Sequence, residues 1–161
     1  MYTIDIMFVI HNNIYKKGMN NMLVINATTV RNEWSSVTDS VIRNKPAFIK
    51  KTRDNLFLSD FSVMESLLSA YTFNAEIFDE EDGSVTISLD EIDLVENAVD
   101  IPNAINKLAN AILEYSEDYY KNFAYWARGG RKSHIPFVFK ALIINDIKKI
   151  GGLIKCRHGK I

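Results

Sequence analysis

The sequence predicts an α+β protein built as two modules, and three observations carry that expectation. Between Met22 and Tyr71 short strand-like apolar runs alternate with stretches of three-and-four spacing. From Phe73 the pattern begins again, with its own pair of alternating runs and its own long helical stripe. Charge divides the chain too: residues 22–75 carry 6 basic and 5 acidic side chains, residues 76–120 carry 1 and 13, and residues 121–161 carry 10 and 1. Blocks of like charge mark either solvated faces or surfaces for oppositely charged partners. With 47% hydrophobic and 24% charged residues among 161, the chain has enough apolar mass for a core in one or two small domains.

The first residues are set apart. The run Ile4 to Ile10 is too short to span a bilayer, and Lys16 and Lys17 follow it where an export signal would carry them ahead. Residues 1–21 read either as an extension upstream of Met22 or as an ordinary N-terminal strand. A single cysteine, Cys156, permits no internal disulfide, and no C-x-x-C pair exists, so a reducing cytoplasmic setting without membrane association is expected.

The elements of the first module follow in order. MLVIN, residues 22–26, is a short strand, and Asn26 is placed to cap the helix that follows. Ala27, Val30, Trp34, Val37 and Val41 fall on one helical face. That helix must stop before Lys45-Pro46, because proline drives its predecessor out of the α region. PAFIKKT and LFLSD then form a hairpin with Asp54-Asn55 at its turn. A second helix is expected with Ser62 and Glu65 at capping-box spacing and Phe61, Met64, Leu67, Leu68 and Tyr71 on its apolar side. Arg31, one turn into the first helix, is open to two readings: a surface ion pair with a nearby carboxylate, or a contact with a partner.

Over roughly Leu23 to Tyr71 this order of strand, helix, hairpin and helix resembles the N-terminal domain of the Phd/YefM family of antitoxins. The resemblance rests on Ile25 and Asn26 closing the first strand, on Thr29, Arg31 and Ser35 at the family's helix-start spacing, and on Lys50, Lys51 and Arg53 where the family carries a basic pair. The family's hairpin glycine is missing from Arg53-Asp54-Asn55, although asparagine tolerates positive φ. The resemblance implies a homodimer that presents the start of each first helix to operator DNA. It implies a DNA-binding set of Asn26, Thr28, Thr29, Arg31, Asn32, Lys50, Lys51 and Arg53. Helix N-termini and hydroxyls suit phosphate, and the planar guanidinium fork of Arg31 suits guanine in the major groove.

The second module, residues 76–161, opens with two strands around Asp82-Gly83, a strong hairpin dipeptide. Asp100 caps a helix that carries Pro102 near its start and Ile105, Leu108, Ala109, Ile112 and Tyr115 along one face. Strand, strand, helix with Asp82, Gly83, Asp100, Ala104, Leu108 and Tyr115 at these positions resembles the small α/β fold of HicB-type antitoxins. It departs where that family has a proline-glycine stretch and this chain has SLDEIDLVENAV. The fold class expected is thus a Phd/YefM-like strand-helix-hairpin-helix dimerisation domain over 22–75, then a HicB-like module and C-terminal helices.

The C-terminal block begins with a glycine-arginine loop. Pro136 suits the first turn of a helix made unusually apolar by Phe137, Phe139, Ala141, Leu142 and Ile143. Asp146 to Ile150 add another turn or two before Gly151-Gly152, and the basic tail KCRHGK is open to two readings, a contact with nucleic acid or, as for most terminal basic residues, a solvated and mobile end. No constellation for catalysis is visible. The acidic run Asp79 to Asp82 reads as a solvated turn, and His134, Cys156 and His158 fall short of a metal ligand set, so no cofactor is expected and the protein is read as no enzyme.

These resemblances imply an antitoxin that neutralises a protein toxin encoded beside it and represses its own operon. Residues 76–161 would hold the toxin, with the carboxylates of residues 76–120 attracting a basic partner and Tyr119, Phe137, Phe139 and Leu142 anchoring it. Two alternatives stand beside this. The acidic block could balance the basic block of the same chain, and the protein could be a DNA-binding transcriptional regulator without a toxin.

Overall fold

The computed structural model describes residues 24–159. The run Ile4 to Ile10, the segment 1–21 and the start of the first expected strand, Met22 and Leu23, lie outside the described residues. The chain divides into two compact units, one up to residue 64 and one from residue 65, so the division falls earlier than the 75/76 boundary read from the sequence. The reason is visible in unit 2: the Lys140 ammonium donates to the carbonyls of Leu68, at 3.4 Å, and Tyr71, which ties that turn to the second core.

In the first unit β1 (Val24–Asn26) pairs in parallel with β2 (Ala47–Lys51), which pairs antiparallel with β3 (Asp54–Leu58). Asn26 caps α1 (Ala27–Asn32) as expected, its Oδ1 accepting the Thr28 N–H at 2.8 Å. The single helix expected beyond it is instead two. Glu33 leaves helical geometry at φ −117° and ψ 31°, and α2 (Trp34–Arg43) starts afresh. The first piece, ATTVRN, is poor in strong helix formers, so packing outweighs helical continuity there. Val30, Val37 and Val41 stay buried with Ala47 and Ile49, whereas Trp34 leaves the core and is 56% exposed.

The hairpin turn is also displaced. Lys51 pairs with Asp54, so the two-residue turn is Thr52-Arg53 and Asp54-Asn55 belong to β3. A turn at Asp54-Asn55 would set Ile49 against Asp60. The observed register sets Ile49 against Leu56 and Phe48 against Phe57, and cross-strand apolar pairing fixes it. Thr52 then takes φ 54°, an uncommon conformation for a β-branched residue. In α3 (Phe61–Leu67) the cap is Asp60 and not Ser62: Asp60 Oδ1 accepts from the Ser62 hydroxyl at 2.7 Å and the Val63 N–H at 3.0 Å. Those two bonds hold the Asp60 carboxyl below the usual carboxylate range.

The second unit is a four-stranded sheet with order β6-β5-β4-β7, made of β4 (Phe73–Asp79), β5 (Val85–Leu89), β6 (Leu94–Ala98) and β7 (Ile154–His158). β4 and β5 flank Asp82-Gly83, where Gly83 supplies φ 82°. Their inward residues Phe73, Ala75, Ile77, Val85, Ile87 and Leu89 are buried. Against them lies α4 (Ile101–Lys121), capped by Asp100, whose side chain accepts the Asn103 N–H at 2.8 Å. Leu108, Ala109 and Ile112 of its expected stripe are fully buried, and Ile105 and Tyr115 partly so. After the short α5 (Phe123–Trp126) come α6 (Ile135–Ile144) and α7 (Ile147–Leu153), which runs through the two glycines to Leu153.

Two segments differ from the sequence reading. SLDEIDLVENAV holds a 3-10 turn, Asp90–Ile92, and the strand β6, with Asp93 at φ 55° making the reversal between them. Lys155 to His158 of the tail, expected to be mobile, belong to the strand β7, with Ile154 opposite Phe73 and Arg157 opposite Glu76, while Lys160 lies outside the described residues. A parallel partner for β4 needs a long crossover, which the helices α4 to α7 provide.

Candidate functional site

Asn26, Thr28, Thr29, Arg31, Asn32, Lys50, Lys51 and Arg53 are all exposed. Strand alternation separates them by face. Asn26 stands beside Lys50 across the parallel pair, on the face that also carries Phe48, whereas Lys51 shares the helix-covered face of Ile49. Arg31 borders a shallow apolar depression with Ala27, Val30, Trp34, Ile49 and Leu56. It makes no ion pair among the described residues, which removes the carboxylate partner of the alternative reading. Asn26 Oδ1 and the Thr28 N–H satisfy each other, leaving the Thr28 and Thr29 hydroxyls and the Asn26 amide group toward solvent.

Sequence reasoning missed two features of this unit. One is Trp34, assigned to the core stripe and found beside Arg31. The other is an apolar row on the face of the sheet away from its helices: Val24 opposite Phe48 opposite Phe57, at 37%, 40% and 41% exposure. The Phe48 and Phe57 rings lie 5.2 Å apart. The alternation of AFIKK and DNLFL carried that signal, because one aromatic in each strand falls out of step with the buried residues.

In the second unit Tyr119 is a core residue, 1% exposed. Its hydroxyl donates to the Arg131 carbonyl at 2.9 Å, and its ring stacks on Trp126 at 6.4 Å, so it has no surface to offer a partner. Phe137 is partly buried, edge-on to Tyr71 at 5.5 Å and tilted against Phe73 at 6.1 Å. Phe139 lies edge-on to Tyr120 at 6.1 Å and Phe123 at 5.9 Å. Leu142 is partly buried on the same helix, α6.

Two ion pairs among the described residues join the acidic block to the basic one, Arg157–Glu76 at 2.6 Å and Lys121–Glu117 at 3.8 Å, and the His134 ring, whose pKa burial lowers, faces the Asp93 carboxylate at 3.7 Å. Several other carboxylates serve local turns. Asp82 accepts from the Ser84 N–H at 2.9 Å and is held below the usual carboxylate range by Ser84, Asp100 caps α4, and Glu80 accepts from the Thr86 hydroxyl. Most of the acidic block therefore keeps its negative charge free of the basic block. Among the described residues no three His, Cys, Asp or Glu side chains come together to hold a metal ion, and no helix is long and apolar enough to cross a membrane.

A family model described as antitoxin of toxin–antitoxin, RelE/RelB, TA system (PHD-like) matches residues 21–156. The chain belongs to this antitoxin family. The match runs through both units, so β7 and the helices before it are as much part of the antitoxin as the first sheet. The crystal structure of an antitoxin part of a proposed toxin/antitoxin system from Syntrophomonas wolfei subsp. wolfei is similar to this antitoxin at 34% identity and a TM-score of 0.81. The similarity covers 86% of this chain and 100% of that one. No curated protein matches the sequence.

Proposed function

We propose that this antitoxin acts by binding and without catalysis, dividing the work between its units. Residues up to 64 form a Phd/YefM-like homodimer that binds operator DNA and represses the antitoxin's own operon. The unit from residue 65 holds and neutralises a protein toxin encoded next door. The observation that carries the first half is Arg31: exposed, unpaired among the described residues, and one helical turn from a capped helix start rich in hydroxyls. The order strand, helix, hairpin, helix supports the Phd/YefM-like reading, and the β4–β5 hairpin leading to α4 supports a HicB-like one, with β6 and β7 as additions.

For the second half, the support is a largely unneutralised acidic block beside partly exposed apolar residues of α6. Carboxylates speed the encounter with a basic toxin, and Phe137, Phe139 and Leu142 anchor it. Tyr119 is left out of this set because it is buried. Co-expression with the product of the adjacent gene tests the reading. A stable complex whose association rate falls steeply with salt is expected, and an antitoxin that neither retains that product nor rescues growth refutes it.

A further inference from the structure

Residues 119–145 contain no carboxylate, and within them the segment YWARGGRK gathers two aromatic rings and three cations. The structure shows how they are held. Arg131 lies with its Cζ 4.7 Å from the centre of the Trp126 ring and 5.7 Å from that of Tyr115. Its backbone is fixed by the Tyr119 hydroxyl on its carbonyl. An arginine held flat by rings keeps the N–H groups at its edge for an incoming acceptor. Arg131, Arg128 and Lys132 make no ion pair among the described residues. The Asp93 carboxylate faces the His134 ring at 3.7 Å. Beside this arginine Tyr125 is 73% exposed, edge-on to Trp126 at 4.8 Å between ring centres.

We infer that this patch binds single-stranded nucleic acid, with phosphates on Arg128, Arg131 and Lys132 and an unstacked base on the open Tyr125 ring. Cations with a free aromatic platform are the chemistry that captures single strands without reading sequence. Duplex DNA offers phosphates and no free base face, so it leaves Tyr125 unused. An acidic protein segment would engage the cations and likewise gain nothing from that ring. The site is distinct from the one proposed around Arg31 and does not depend on it.

The test uses the full chain and fluorescently labelled 12-nucleotide oligo-U and oligo-dT, with a 12-base-pair duplex and a poly-glutamate peptide as comparisons, read by anisotropy. Binding of at least one single strand is expected, with a log–log salt slope of about −2 for three phosphate contacts. A preference between oligo-U and oligo-dT identifies the natural strand as RNA or DNA. Arg131→Ala and Tyr125→Ala should each weaken it about tenfold, while Lys148→Ala, which removes an exposed cation of α7 outside the patch, leaves it unchanged. Because Arg131 is packed against rings, Arg128→Ala and Tyr125→Ala, both at exposed positions, are the decisive variants if Arg131→Ala melts early. In an Arg31→Ala background, which takes away the proposed operator contact, the inference is overturned if neither single strand binds more tightly than the duplex. Equal binding by the poly-glutamate peptide, indifference to Tyr125→Ala, or an equal loss through Lys148→Ala would overturn it as well.

Discussion

The hydroxyl of Tyr115 lies 2.7 Å from Nδ1 of His134, and the far side of that buried ring faces the Asp93 carboxylate at 3.7 Å. With its proton on Nε2, the neutral ring accepts from Tyr115 and points its own N–H at Asp93. Burial raises the Tyr115 hydroxyl above its ordinary range, so it remains a donor at neutral pH. Three segments meet at this ring: α4, the loop after the first 3-10 turn, and the approach to α6.

His134 makes stability depend on pH. Burial depresses its pKa from 6.5, against the pull of Asp93 and with help from Arg131. The unfolded chain therefore takes up this proton more readily than the folded one. Stability is full above pH about 6.5, the unfolded value, and falls as pH drops from there toward the depressed folded value. Thermal melts between neutral and mildly acidic pH should show a decline in wild type that is reduced in His134→Gln. A wild type that gains stability on acidification relative to the variant would mean that Asp93, and not burial, controls the ring.

Tyr119 separates a core role from an interface role. Tyr119→Ala should destabilise the second unit by about 3–5 kcal/mol, the range for removing a buried aromatic. Tyr119→Phe, which loses only the bond to the Arg131 carbonyl, should cost about 1 kcal/mol. Urea denaturation followed by Trp126 fluorescence in a Trp34→Phe background reads both. Near-wild-type stability of Tyr119→Ala would contradict its placement.

For operator DNA, Arg31→Ala should weaken binding by about 1–3 kcal/mol if the guanidinium reads a base. Lys50→Ala should instead lower the salt slope by about 1 with little change in sequence preference. Gel shifts on the DNA upstream of the antitoxin's own gene measure both. Unchanged affinity in Arg31→Ala removes that residue from the interface.

What the sequence discloses here is local chemistry. The Asn26 cap, the Asp100-Pro102 helix start and the Asp82-Gly83 turn each depend on a few adjacent residues, and each is found where those residues place it. What escapes is decided at a distance. β7 becomes a strand because β4 has a free edge some eighty residues earlier, and nothing within KCRHG announces that pairing. The Thr52-Arg53 turn follows from Ile49 meeting Leu56, which overrides the better turn residues next to it. Tyr119 reads as an anchor from the sequence because large side chains that become buried dominate protein interfaces, and the same size suits a core equally well. Its burial depends on α5 and the loop folding back over it.

The uncovered row Val24, Phe48 and Phe57 makes the strongest physical case for a homodimer. A three-stranded sheet with helices on one face leaves the other open, and a solvated face is ordinarily polar. Here the centre of that face is aromatic, with Phe48 and Phe57 as an adjacent cross-strand pair. β3 is also an edge strand whose Leu56 and Phe57 are about half exposed, the kind of edge that pairs with another chain unless it is blocked. A two-fold interface lets one patch cover itself, so the row needs no second kind of partner. Light scattering at micromolar concentration should therefore give about twice the 18.4 kDa chain mass. Phe57→Asp would place a carboxylate at the centre of the buried face, where an unpaired charge is strongly disfavoured, and should return the protein to monomers without unfolding it. Circular dichroism checks the fold, and Phe57→Leu, which keeps the apolar surface, should remain dimeric. A wild type that scatters as a monomer, or a Phe57→Asp protein that stays dimeric, would show that this row is not what joins two copies.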